Sequence, residues 1–450
     1  MSSTTLAAGG SLSFTLPQEL TVIALCALTA FISHLALAVF NDGVRPFMLD
    51  FIQGRSTRNA TTAVSFGLSA GFIFGLGAPM ALSTGVLNPW LVFLPTDILG
   101  IVSPKKWLAP LLGAAWGAVV VFALGGANSA AHKLPVDFLT AMQQMSTPIL
   151  FLFALFPALA ITKQFGRARG GLAAVIELVL VVMTMKLWPN MFAGALAMAV
   201  GVLMLIGFAV ARDVKQRREE RAAASAMQAA ADPPDADDPM ASLFSSSALR
   251  LRKHLPLFML LGAGVCLLAQ MHIFGGGEAT SFLIAKGDYS GAAQVDFYRV
   301  FGFIPLIATT ALASGAYAIA GFTLVYPIGY LLPNPYLAVI CGALVFAGEV
   351  LTLSSIGRLL GRLPSVRDCS EHLRSAITDT LGLAILFGSL MAANTMGGGL
   401  GILIVGGLYL LNEVMGRVVV RMAAAPAAVI VGGIVLNVLY WLDLFTPVKS

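Results

Sequence analysis

Asp97 is the only charged residue between Arg58 and Lys105, and it lies in an apolar run, Leu87-Asn88-Pro89-Trp90-Leu91-Val92-Phe93-Leu94-Pro95-Thr96-Asp97-Ile98-Leu99-Gly100. Two prolines in that run interrupt helical hydrogen bonding. An ionisable group at membrane depth is costly enough to read as functional by default. Irregular backbone at that depth is tolerated only against protein or a watery cavity. Two roles fit. Thr96 or Asp97 caps a helix just after Pro95, or Asp97, with Asn88 and Thr96 nearby, is a proton or cation ligand tuned by burial.

Glu349, in the apolar stretch Phe346-Ala347-Gly348-Glu349-Val350-Leu351, reads as a coupling carboxylate or as the partner of an arginine on a neighbouring helix. Either role keeps it away from lipid. Glu177 is similar but nearer a helix start. Arg299 precedes Pro305, Thr309 and Thr310. The two hydroxyls and a carbonyl freed by proline could line a polar pathway, and small-residue helix packing explains the same pattern. Asp42 and Arg45 form a turn with a basic anchor or a gating ion pair. Glu413 and Arg417 are four apart and can pair on one helical face.

Other chemistries lack their residues. There is no phosphate-binding Gly-x-x-x-x-Gly-Lys-Ser/Thr string. The five histidines are scattered without metal-ligand spacing, so neither metal nor cofactor is expected. No nucleophile–base set emerges beyond Cys369 with His372, and an enzyme is the less supported reading. The four cysteines lack paired spacing.

The elements that must position these groups are membrane helices. Hydrophobic residues make up 58% of the 450, charged residues 11%, and mean hydropathy is +0.87. Soluble domains carry about 25% charged residues, so this is an all-α polytopic membrane protein. Its charge of +5 reflects basic loops beside apolar spans and calls for no nucleic acid. With about 20 residues per crossing, spans are expected at 20–40, 61–82, 107–126, 148–163, 171–188 and 191–212. A second set follows at 256–274, 302–322, 336–355, 377–395, 397–415 and 426–445. This gives roughly twelve transmembrane helices in two halves, with broken or re-entrant pieces. Placing Arg45, Arg55, Arg58, Lys105, Lys106, Lys163, Arg167 and the 213–253 stretch in the cytoplasm puts the N-terminus outside. It also requires 83–104 to cross or re-enter. The polar 213–253 stretch reads as a linker between membrane halves 1–212 and 254–450. An internal repeat is suggested by Val44-Arg45-Pro46 against Val366-Arg367-Asp368, each followed by two apolar segments.

Several strings carry a resemblance: Asn41-Asp42-Gly43-Val44-Arg45-Pro46, Leu94-Pro95-Thr96-Asp97-Ile98-Leu99-Gly100, Gly302-Phe303-Ile304-Pro305-Leu306-Ile307-Ala308-Thr309-Thr310, Pro333-Asn334-Pro335 and Leu436-Asn437-Val438-Leu439-Tyr440-Trp441. They resemble the YhfT family, over nearly the whole chain from about 20 to 444. The resemblance implies a bacterial inner-membrane protein of a group described as transporters, and it supplies no substrate. The resemblance also implies, from family members found near genes for pyridoxal-phosphate and phosphotriesterase-like enzymes, a small polar, amino-acid-like or phosphorylated solute. The alanine- and acid-rich 222–238 stretch and Glu177 depart from the family pattern.

The expected function is a secondary transporter or permease for a small polar metabolite, anionic or amino-acid-like, with proton or cation coupling through Asp97 and Glu349. A lipid flippase or scramblase is the alternative. The expected partners are the small-molecule substrate and membrane lipids, and a homodimer is the assembly considered.

Overall fold

In hydrocarbon a backbone must satisfy its own polar groups, and the chain does so with helices almost throughout. The computed structural model describes residues 13–41, 44–52, 54–189, 192–227, 248–297, 299, 317–318 and 324–447. The first half contains α1 (Leu16–His34), β1 (Ala38–Val39), α2 (Arg45–Ile52), α3 (Arg58–Phe72), a π-helical turn (Ile73–Gly77), α4 (Ala78–Thr84), α5 (Pro89–Val102) and α6 (Leu108–Ala131). It continues with α7 (Phe138–Met142), α8 (Ser146–Phe153), α9 (Phe156–Phe165), α10 (Arg167–Leu187) and α11 (Ala195–Met227). The second half contains α12 (Leu255–Gln270), α13 (Glu278–Ala285), β2 (Tyr317–Ala318), α14 (Val325–Leu331), α15 (Pro335–Arg362), α16 (Pro364–Val414) and α17 (Arg421–Trp441).

Among the described residues, 8 helices are long and apolar enough to cross a membrane, or 9 with a pair bent by 41° counted as one span. Roughly twelve were expected, and the differences have local causes. The 148–163 span is that bent pair, broken between α8 and α9. The 377–395 and 397–415 spans are the two helical parts of α16, which meet at non-helical Gly397 and Gly398 (φ 55°), and Gly401 lies against the Ala393 carbonyl where the chain turns back. Most of 302–322 lies outside the described residues. Within 83–104, expected to cross or re-enter, the chain forms α5, a 14-residue helix.

Three helices of each half pack in the same arrangement and run in opposite directions, in a register other than the one the Val44/Val366 match suggested. A Cβ on Gly113 of α6 would strike the Cys26 carbonyl and the Ala30 side chain of α1. A Cβ on Gly342 of α15 would strike the Gly262 carbonyl and the Cys266 side chain of α12. Gly100 of α5 abuts the Ala30 carbonyl and Ser33, as Gly329 of α14 abuts the Cys266 carbonyl and Ala269. Small residues at these crossings let the backbones approach closely. The chain ends α1 and α12 identically. Leu37 N–H donates to the Ile32 carbonyl and Ile273 N–H to that of Leu268, and the preceding residue is left-handed in each (Ala36 φ 54°, His272 φ 56°). Thus α1, α5 and α6 correspond to α12, α14 and α15. Arg250, leading into α12, donates to the carbonyls of Leu35 and Ala36 at the end of α1, each at 3.2 Å. The start of α12 therefore meets the end of α1, and the equivalent helices run in opposite directions.

Further along, the correspondence becomes an exchange. Val136, after Leu134-Pro135, donates its N–H to Asn437 Oδ1 of α17 at 2.9 Å and accepts from Asn437 Nδ2 at 3.0 Å. Ser365, after Leu363-Pro364, donates its N–H to Asp213 Oδ1 of α11 at 3.0 Å. Each half thus anchors its Leu-Pro turn on the last helix of the other.

Candidate functional site

Two helix breaks join the halves, and each is closed by strand pairing across the repeat. At the first, the chain turns back after α1 and β1 pairs in parallel with β2, Ala38 opposite Tyr317. At the second, after α12, Leu87 N–H donates to the Ile273 carbonyl at 2.8 Å and Gly275 N–H to the Leu87 carbonyl at 2.9 Å. Between the breaks the rings of Phe40, Phe93, Phe274 and Tyr326 lie in contact, with successive centroids 4.5, 5.4 and 5.7 Å apart.

Asp97 belongs to the first break and is fully buried. Its Oδ1 accepts the Ser33 hydroxyl at 2.6 Å, and its Oδ2 accepts the backbone N–H of Phe40 at 2.7 Å and of Asn41 at 3.1 Å. It is a clamp on the reversed chain, not the cap of its helix. The cap is Asn88, whose Oδ1 accepts the Leu91 N–H at 3.0 Å while its Nδ2 donates to the Gly77 carbonyl at 2.8 Å. Thr96 donates to the Phe93 carbonyl within α5 at 2.7 Å. Pro95 has no N–H for the Leu91 carbonyl, and Trp116 Nε1 donates to it instead at 2.9 Å.

The second break holds a different constellation. Gly276 N–H donates to the Tyr330 hydroxyl at 2.8 Å, and that hydroxyl donates to Asp296 Oδ2 at 2.8 Å. Gly277 N–H donates to Thr280 Oγ1 at 2.8 Å, at the start of α13. Arg299 Nη1 reaches Asp296 Oδ1 at 3.4 Å, and the guanidinium lies 5.3 Å from the centre of the Phe153 ring of α8. Gly276 and Gly277 are required by close approach. A Cβ on the first would strike the Asp296 carboxylate, and on the second the Arg299 guanidinium. Glu278 follows directly and is 1% exposed.

The other expected site residues lie apart from this cluster. Glu349 of α15 pairs with the Tyr317 hydroxyl of β2 and, among the described residues, with no arginine. Glu413 accepts from Arg417 Nε and from Arg421 Nε, both at 2.9 Å, and so ties α16 to α17 at an exposed turn. Asp42, Thr309, Thr310 and the Arg45 side chain lie outside the described residues. Arg299 is placed in a buried ion pair with Asp296. Glu278, Asp296, Tyr326 and Tyr330 were missed. Signals for them existed: the acid ending Gly275-Gly276-Gly277-Glu278, and Asp296 and Arg299 one helical turn apart.

Comparison with known proteins adds identity without activity. A family described as "YhfT: Protein of unknown function" matches residues 18–445. "Uncharacterized protein YhfT" of Escherichia coli (strain K12) is 40% identical over 442 residues, covering 96% of this chain and 99% of that protein. No solved structure matches. The chain belongs to the YhfT family.

Proposed function

We propose that the protein is a secondary transporter that moves a small polar metabolite across the bacterial inner membrane, with its binding site between the two halves. The observation carrying this reading is the inverted three-helix repeat whose two broken helices exchange strands across the repeat interface. Transporters built this way bind substrate where discontinuous helices of opposite orientation meet, and expose that site by rocking one repeat against the other. The buried acids, arginine and tyrosines at the second break supply the polar contacts such a site needs. The basic residues near the end of α1, Arg58 and Lys105 among them, favour a cytoplasmic position for that end and a periplasmic N-terminus.

Uptake into proteoliposomes tests the reading, with labelled amino acids and small organic anions offered with and without a pH gradient. Saturable flux above protein-free vesicles is expected for one class. Absence of flux for every solute, with rapid scrambling of a fluorescent phospholipid, would instead point to lipid handling.

A further inference from the structure

The second break contains two carboxylates and one guanidinium, each at most 2% exposed. Asp296 and Arg299 face one another, and Asp296 also takes the Tyr330 hydroxyl. Glu278 has no comparable arrangement: among the described residues neither of its carboxylate oxygens has a hydrogen-bond partner. The Tyr326 hydroxyl is likewise unpartnered. The Asp296 carboxylate and the Arg299 guanidinium lie against Gly276 and Gly277, the two residues before Glu278, and both act electrostatically on Glu278, so the three charged groups form one cluster.

Buried polar atoms are nearly always paired, and each exception calls for an explanation. Two ionised carboxylates against one guanidinium leave one negative charge over in a place where an uncompensated charge is costly. Among the described residues no three His, Cys, Asp or Glu side chains converge to hold a metal ion. A divalent ion would also bring two positive charges where one negative charge is left over. The missing complement is a single positive charge.

Building on the transporter reading, we propose that Glu278 is the anionic contact of a monovalent-cation site at the second break. Its ligand is the ammonium group of an amine or amino-acid-like solute, or a sodium ion. The position suits a transported or coupled charge, since α13 carries Glu278 against first-half helices α4 and α8. Movement between the halves would change the surroundings of the carboxylate.

The test uses the purified full-length protein, with NaCl, methylammonium chloride and glycine each titrated against KCl at constant ionic strength. Two readouts are followed: the unfolding temperature, and protection of Glu278 from dicyclohexylcarbodiimide, read by mass spectrometry. At least one of the three probes is expected to raise the unfolding temperature saturably and to shield Glu278. The responding probe identifies the source of the charge. Glu278→Gln should weaken that response by about tenfold or more, Glu278→Asp should retain part of it, and Glu177→Gln, which changes a carboxyl equally buried and unpartnered among the described residues but placed in α10, outside the second break, should leave it intact. The proposal is overturned if no probe moves either readout, or if the response survives in Glu278→Gln. The protection measurement needs no variant and decides the matter even if Glu278→Gln does not fold. Cation binding without solute flux would defeat the transporter reading and leave this site standing, while flux without a cation response would do the reverse.

Discussion

The two breaks have the same backbone plan and opposite polar chemistry. Carrying the repeat register forward sets Phe40 and Asn41 opposite Gly276 and Gly277, and Asp97 opposite Tyr326. In the first break the two exposed amides are closed by the Asp97 carboxylate, which also takes the Ser33 hydroxyl. In the second they are closed by the hydroxyls of Tyr330 and Thr280. A carboxylate is spent on structure in one half, and hydroxyls do that work in the other. Glu278 is thereby left without a structural duty. A buried acid is therefore weak evidence of function until its lone pairs are accounted for. Between the two breaks, that criterion makes Asp97 scaffold and Glu278 the candidate ligand.

The largest expected effect is at Asp97. Asp97→Ala strands a hydroxyl and two backbone N–H groups in the interior, at roughly 1–3 kcal/mol for each buried donor left unpaired. A large fall in unfolding temperature, or loss of monodisperse protein, is expected. A fall no greater than that of Glu278→Ala would erase the contrast between the breaks.

Next come the crossing glycines. Gly113→Val and Gly342→Val each force a side chain into a backbone carbonyl at an equivalent crossing, and overpacking of this kind costs about 1–3 kcal/mol. Equal losses in thermal unfolding would support the repeat register, whereas damage from one and tolerance of the other would break it.

The smallest effect concerns the Leu-Pro turns. Beside the first turn, burial pushes the Asp137 carboxyl up, but hydrogen bonds from Thr140 and the His132 ring outweigh this and hold it below the usual carboxylate range. The stabilisation is therefore complete above the ordinary carboxylate range and is lost as pH falls through the depressed value. The corresponding position after the second turn is Val366. Thr140→Val should shift acid unfolding upward in pH, and Val366→Ala should not. Equal shifts would remove the asymmetry.

Helical class and the membrane setting were legible in composition and charge, but the expected break at Pro95 is absent: α5 runs unbroken from Pro89 to Val102, and the irregular backbone that Asp97 holds is the distant turn at Phe40 and Asn41. The role of Asp97 was not legible, because two of its three partners are backbone amides of distant residues, which leave no mark in side-chain chemistry. Glu278 escaped notice for the opposite reason: it follows three glycines between expected spans, where an acid reads as a turn residue. The repeat was sought in basic loops, yet its carriers are Gly100, Gly113, Gly329 and Gly342. Their meaning emerges only when each is seen against a helix of its own half, since glycine is common throughout this chain.

The central claim is that the first break is scaffold and the second binds the charge. The most direct test compares Asp97→Asn and Glu278→Gln side by side, reading the unfolding temperature with and without the responding probe among NaCl, methylammonium and glycine. Asp97→Asn should start lower and keep the ligand-induced rise, while Glu278→Gln should start at or above the wild-type temperature and lose it. The reverse assignment, a rise retained by Glu278→Gln and abolished in folded Asp97→Asn, would contradict the account.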